Sequence, residues 1–357
     1  MSTIKTNTIL DASGGSTTTI NGVTPNAYNT MGKNRIINGA MEIDQRNAGA
    51  SVTPTASNTL VLDRFVHYLS QSSKFSVQQS STAPAGFKNS MLITSLSSYA
   101  VGVSDYFLIQ HRVEGLNCAD LSWGSSDAKT ITLSFWVRSS LTGTFSGAIG
   151  NSANTRTYAY TYTINSADTW EQKTITIAGD TSGTWLTTNG IGLVIGWSLG
   201  TGTNQNTTAG SWTAGNYNGA TGTTSVVGTN AATFYITGVQ LEVGSVATEF
   251  ERRPYTTELQ LCQRYYEVIN SNVNQTFWAD IASGINNVCA VANLFYRVTK
   301  RATPTVAQYG SYVTVNVNTP SIHASVDNCS LYYQVTSSAR CYWYPNANAG
   351  ITISAEL

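Results

Sequence analysis

Apolar and polar residues alternate with a period of two along most of this chain. LVLDRFVHYL (60–69), KFSVQQSS (74–81), NSMLITSL (89–96) and YFLIQHRVEG (106–115) each hold a core of β-branched and aromatic residues, bounded by Gly, Ser, Asn or Asp. AKTITLSFWVRSS (128–140), TRTYAYTYTI (155–164), WEQKTITIAG (170–179), GIGLVIGWSLG (190–200) and TFYITGVQLEVG (233–244) continue the series. A period of two sends neighbouring side chains to opposite faces of a strand, whereas a helix repeats at 3.6. Amphipathic helices are missing between these segments, so a parallel sheet with crossover helices is excluded. The series predicts an all-β protein built on a jelly-roll β-sandwich.

The pattern changes at four places. Residues 1–31 alternate in two short pieces, TIKTNTIL and STTTINGV, separated by DASGG. Strands this short bury no face alone, so an N-terminal β fibre or attachment segment that pairs with copies of itself or with a neighbouring protein is expected. The sandwich is expected over 32–250. Within it, 200–230 is a polar insertion whose large side chains are Trp212 and Tyr217. Long loops are uncommon in compact domains unless they have work to do, so this one is expected over a sheet edge or against another subunit. In ERRPYTTELQLCQRYYEV (251–268) charges cluster and apolar residues recur at spacings of one, three and four. That reads as a short helical joint, capped by Thr256 or Thr257 and ending near Tyr266. Residues 269–357 return to alternation and predict a smaller C-terminal β domain. Its strand candidates are QTFWADI (275–281), NVCAVANLFYRVTK (287–300), SYVTVNV (311–317), CSLYYQVTS (329–337) and GITISAEL (350–357).

Charge narrows the choice of partners. Nineteen basic and nineteen acidic residues cancel, and only 11% of the 357 residues are charged, against about 25% in ordinary soluble domains. A neutral chain has no electrostatic funnel for nucleic acid. No apolar run reaches the ~20 residues of a membrane span, so membrane insertion is not expected. The opening MSTIKTNTILDASGG lacks the apolar core of a cleaved signal peptide. Cys118, Cys262, Cys289, Cys329 and Cys341 are odd in number and widely spaced. They read as buried free thiols rather than a zinc knuckle or a full disulfide set.

Candidate chemistry is sparse. The sequence has no nucleophile elbow, metalloprotease, Walker or Rossmann motif. His67, His111 and His323 fall in three separate strands, and His111 with Arg112 and Glu114 reads as ordinary strand composition. Asp168 and Glu171 flank Trp170 at a hairpin entrance and read as a solvated turn. No catalytic, cofactor or metal residues are expected, and no enzyme. The aromatic residues are more informative: nineteen Tyr and eight Trp are many for a chain so lightly charged. Phe135 and Trp136 must face opposite sides of one strand, so one of them leaves the core. Trp212 and Tyr217 in the polar insertion and Tyr342 and Trp343 in the RCYWYPNANAG turn stand among Asn and Thr, away from alternating core positions, and Tyr332 and Tyr333 lie together in YYQ (332–334). They are the candidate saccharide or interface contacts.

Several longer strings carry a family resemblance. GKNRIINGAMEIDQRNAG (32–49), ITLSFWVRSSLTGTFSGAI (131–149) and FYITGVQLEVGSVATEFERRPYTTELQLCQRYYE (234–267) resemble bacteriophage and prophage tail-fibre or related virion appendage proteins. The middle region is similar to a carbohydrate-binding-module jelly roll. FYRVTKRATPTVAQYG (295–310) resembles the segment that follows in that group, and NTILDASGGSTTTING is similar to fibre attachment regions. The resemblance implies a non-enzymatic structural component of the virion, commonly a homotrimer, exposed on the particle and contributing to host-cell attachment. Its partners would be other virion tail or capsid proteins and a host surface glycan or protein. The alternative is a capsid-associated fibre or decoration protein without receptor binding. A glycan-degrading appendage enzyme is a third reading, though the long β-helical repeats that would favour it are not visible. The family shares no residue-level active site, so the resemblance implies none here.

Overall fold

The computed structural model of the protein describes residues 32–270, 289–318, 320–334, 336 and 342–357. The expected N-terminal fibre segment 1–31 and the strand candidate 275–281 lie outside them. By internal contacts the chain divides into two units: one of Met1–Glu42, Ser51–Thr59 and Val66–Arg252, the other of Ile43–Ala50, Leu60–Phe65 and Arg253–Leu357. A linear reading of the sequence makes no provision for the two short early segments that count with the second unit.

The first unit is a sandwich of two antiparallel sheets. Its strands begin with β1 (Thr59–Leu60), β2 (Phe65–Leu69), β3 (Phe75–Ser80), β4 (Ser90–Ser95) and β5 (Tyr106–Glu114). β6 (Ile131–Ser139), β7 (Gly143–Gly150), β8 (Arg156–Ile164), β9 (Glu171–Ile177) and β10 (Ile191–Thr201) follow. β11 (Asn206–Thr207), β12 (Trp212–Ala214), β13 (Gly219–Ala220) and β14 (Thr233–Val243) complete it. One sheet runs β1-β2-β5-β10-β7-β8-β12 and the other β3-β4-β14-β6-β9.

Alternation decides what lies between the sheets. On β6, Ile131, Leu133, Phe135 and Val137 are fully buried; on β10, Leu193, Ile195, Trp197 and Leu199 are. Aromatic rings join the two layers edge to face. Phe135 meets Tyr162 at 5.1 Å and Trp197 at 5.8 Å between ring centres, with planes 84° and 85° apart. Phe75 meets Phe107 at 6.4 Å and 86°. This offset geometry places a ring's positive edge on its neighbour's negative face. Trp136 therefore takes the outer face, half-buried beside Phe87 over Gly238.

The predicted strand 60–69 is interrupted. Residues 61–64 form a turn between β1 and β2, with Arg64 at φ 71°. A non-glycine residue in the left-handed region is held there by its contacts. In the second unit the Arg64 guanidinium lies 3.5 Å over the Tyr265 ring and pairs with Glu356. Glu356 also pairs with Arg46 at 3.0 Å, and Arg46 reaches Asp63 at 3.2 Å.

The second unit holds the single α-helix among the described residues, α1 (Tyr255–Gln263). Pro254, and not Thr256 or Thr257, is its N-cap, and the two threonines lie inside the helix. Proline suits a helix start, where its missing N–H is not needed. The helix ends at Gln263, and Tyr266 opens a strand instead of closing the helix. β15 (Tyr266–Asn270), β16 (Cys289–Phe295), β17 (Thr305–Tyr309) and β18 (Tyr312–Val315) follow. β19 (Ser321–Ala324), β20 (Asn328–Gln334), β21 (Tyr342–Pro345) and β22 (Gly350–Ser354) complete the unit. They form small sheets β15-β22-β17, β16-β20-β19 and β18-β21 around Ile269, Leu331, Trp343, Ile351 and Ile353. Cys118, Cys262 and Cys329 are free and buried, as their composition suggested.

Candidate functional site

The face of the seven-stranded sheet turned away from the core carries a groove of about 310 Å³. Its floor follows from strand parity. On β5, Phe107, Ile109 and Val113 point into the sandwich, so Tyr106, Leu108, Gln110 and Arg112 point out. Registers then line up two rows across the sheet. Arg112 pairs with Val194, Val194 with Gly150, and Gly150 with Thr157. The adjacent row runs Gln110, Gly196, Ala148. Gly150 in the first row and Gly196 and Ala148 in the second are small and give the trough its depth. Packing does not demand the glycine at 196, since a Cβ there would meet its nearest neighbours at 3.6 Å, an ordinary contact distance.

The polar insertion builds one wall. The Thr157 hydroxyl donates to the Gly215 carbonyl at 2.7 Å, and the Tyr217 N–H donates to that hydroxyl at 3.3 Å. The Asn218 side-chain amide donates to the Gln205 amide oxygen at 2.7 Å. These bonds seat Tyr217 at the groove. On the opposite side Tyr68, from β2, has its hydroxyl 2.6 Å from the Arg112 guanidinium. At the β7–β8 turn Asn151 accepts from the N–H groups of Thr155 and Arg156, while Arg156 forks onto Asp180 at 2.7 and 2.8 Å.

Tyrosines, residues with side-chain amides, Arg112 and Arg156 line this groove, with no Asp, Glu, His or Cys among the lining residues. Glycoside hydrolysis in its usual form needs a pair of carboxyl groups across the scissile bond. The residues lining the groove do not supply that pair. Among the described residues no group of three or more His, Cys, Asp or Glu side chains is placed to hold a metal ion. The turn carboxylates are otherwise engaged. Burial raises the pKa of Glu171, but the Lys173 ammonium and donors from Ser166 and Asn165 outweigh it and bring the pKa to about 2. Asp168 pairs with Arg138 at 3.2 Å.

Of the six aromatic residues singled out in the sequence, the groove takes Tyr217. Trp212 lies on the edge strand β12, where its ring packs against Trp123, Trp185 and Tyr158 at 5.3–5.5 Å. Its indole N–H donates to the Ala178 carbonyl at 2.8 Å. Trp212 is thus a pin that fastens the insertion to the sheet edge. Trp343 is a correction. Its segment is strand β21, paired with β18, and not an open turn; the indole is 1% exposed and stacked on Tyr312 at 4.5 Å in the core of the second unit. No sugar can reach it there. Tyr332 is 37% exposed and meets His323 edge-on at 4.8 Å. Tyr333 and Tyr342 occupy strand positions opposite Ala290 and Val315. Sequence reading missed Tyr68, Tyr106, Gln110, Arg112 and Arg156. The outward parity of YFLIQHRVEG held the signal for three of them.

No protein-family model matches the chain, and no curated protein matches it. Solved structures do resemble it at low identity. The enzymatically active domain of tailspike protein 4 from bacteriophage CBA120 aligns at 10% identity and TM-score 0.31, over 59% of this chain and 21% of that one. A proposed sugar-binding protein of Bacteroides thetaiotaomicron aligns at 14% identity and TM-score 0.35, over 59% of this chain and all of the other. A family 11 carbohydrate-binding module of Clostridium thermocellum, solved with a β-1,3-1,4-mixed-linked tetrasaccharide, aligns at 12% identity and TM-score 0.29, over 57% of this chain and all of the other. The chain spans about a fifth of the length of the tailspike domain it matches. These are likenesses of one β-sandwich to another, and at such scores they carry no argument about ligand or activity.

Proposed function

We propose that the protein is a non-catalytic, glycan-binding component of a virion fibre or related appendage, with a jelly-roll-type sandwich that contributes to host-cell attachment. The observation that carries the glycan reading is the groove itself. Tyr68, Tyr106 and Tyr217 offer ring faces, and side-chain amides such as Gln110 offer donors and acceptors, around a floor of Gly and Ala. A sugar presents C–H faces and hydroxyl edges, and a concave site with aromatic walls and a few fixed polar groups suits both. The virion setting is supported by the sequence strings that resemble tail-fibre proteins.

An array of oligosaccharides presented to the soluble chain tests the glycan reading. Binding to at least one is expected, with Tyr217→Ala weakening it about tenfold, the scale of one lost aromatic contact. Failure to bind any glycan, or binding indifferent to Tyr217→Ala, would count against the groove. The alternating N-terminal segment and the resemblance together support a homotrimer. Light scattering is then expected to give three times the 38.2 kDa chain mass, and a monomer would overturn the trimer without touching the groove.

A further inference from the structure

We infer that copies of this chain meet through the outer face of the five-stranded sheet, an inference that rests on the homo-oligomer proposed above and places an interface in the sandwich itself. Strand parity puts large side chains on that face. On β4, Met91 and Ile93 point into the core, so Leu92 points out; on β14, Phe234 and Ile236 point in, so Tyr235 points out. Tyr235 pairs with Leu92 on one side and Arg138 on the other, and Trp136, on the same face of β6 as Arg138, pairs with Thr237. Trp170 meets Tyr235 at 6.0 Å between ring centres. Phe87, beside Trp136, meets Phe250 at 5.1 Å. All of these rings, and Leu92, are partly exposed. The solvent side of an antiparallel sheet is ordinarily polar, and this one is not.

The partner that fits is a second copy rather than a stacked sugar. The Arg138 guanidinium lies over the Tyr235 ring at 5.1 Å, and that of Arg252 over Phe87 at 4.7 Å, so ring faces a sugar would need are taken. Aromatic residues with arginine are what the centres of protein interfaces are enriched in. The chain also enters the sandwich here. The N–H groups of Gly32 and Asn34 donate to the Glu251 carboxylate at 2.6 and 2.8 Å, and Lys33 donates to the Glu249 carbonyl at 2.7 Å. Glu249 and Glu251 flank Phe250, so residues 1–31, expected to pair with copies of themselves, join the sandwich at the margin of this face. Basic and acidic residues cancel, and no net charge keeps copies apart. Faces turned to one symmetry axis leave each groove, on the other sheet, pointing outward, where several can bind together.

The test is analytical ultracentrifugation of the full chain beside Leu92→Lys and Trp136→Thr. The first brings like charges together where the faces meet, and the second removes a ring but keeps a residue that favours strands. Each is expected to weaken association about a hundredfold or more, the scale of one lost interface anchor, and to sediment as a monomer where the wild type is assembled. Trp136→Phe, which keeps an aromatic ring, is expected to stay assembled. Circular dichroism checks folding, and Leu92→Lys, at a partly exposed position, decides the matter if Trp136→Thr does not fold. Folded variants that assemble as well as the wild type would overturn this surface and leave the oligomer proposed above in place. A wild-type dimer that both variants dissociate would support the surface and overturn only the trimer. A monomeric wild type would overturn both.

Discussion

Gly196→Phe is expected to abolish glycan binding, with a loss of about a hundredfold or more, near 2.7 kcal/mol, while the protein remains folded. The glycine sits at the centre of the groove floor, paired with Gln110 on one side and Ala148 on the other. Its backbone is ordinary strand and a Cβ there would meet the Ala148 carbonyl oxygen and the Gln110 side chain at 3.6 Å, an ordinary contact distance, so a larger side chain is directed into the groove. Phenylalanine also favours a strand where glycine disfavours it, so melting is expected to be unchanged or raised slightly. Gly196→Ala, by contrast, adds one methyl and is expected to bind nearly as wild type. Calorimetric titration of both variants beside thermal melts checks this. Undiminished binding by a well-folded Gly196→Phe protein would place the ligand elsewhere.

The second large effect concerns acid. His67 lies on β2 with its ring inside the sandwich, fully buried, 6.0 Å from the ring of Phe75. Neither ring nitrogen has a hydrogen-bond partner among the described residues. Burial pushes the imidazole down to about 3, from about 6.5 in an unfolded chain. The unfolded chain therefore takes up the proton first as the pH falls. Stability from this position is fully present above about pH 6.5 and is lost steadily toward pH 3, about 3 kcal/mol of it by pH 4. His67→Leu, a change to an apolar side chain of similar size, removes that loss. Its advantage over wild type is expected to widen by about 3 kcal/mol between pH 7 and pH 4 in denaturant titrations.

Asp63 works in the opposite direction. Burial raises its pKa to about 6 against the lowering effects of Arg46 and Gln45. Ionised Asp63 thus weighs against the fold above pH 6, and that cost fades as the pH falls toward 4. Comparing variant with wild type at each pH cancels this shared contribution. Parallel acid profiles for the two proteins would show that His67 does not govern acid sensitivity.

How far the sequence could be read follows from the range of the contacts involved. Alternation is a local property, and it placed β5, β6 and β10 and set Phe135 and Trp136 on opposite faces of β6, but not which of those faces is buried. The same alternation contained the groove floor, but only as outward positions of strands whose neighbours and registers were unknown. Which outward face becomes a groove depends on β5, β10 and β7 lying side by side, and on small residues at 148, 150 and 196 falling in adjacent rows. Tyr217 was legible because a large ring in a polar insertion stands out. Trp343 was misread for the same reason: PNANAG after it looks like an open turn, and the pairing of β21 with β18 that buries the indole is set by residues thirty positions earlier. The break at Arg64 was equally hidden, since the partners that hold it, Tyr265 and Glu356, lie about 200 and 290 positions away.

A crystal structure of the protein with an oligosaccharide it binds tests the central claim most directly. The sugar chain is expected across β5, β10, β7 and β8, with a ring against Tyr217 and hydroxyls bonded to Gln110. Sugar density on the outer face of the five-stranded sheet or on the second unit, with the groove holding only solvent, would contradict it.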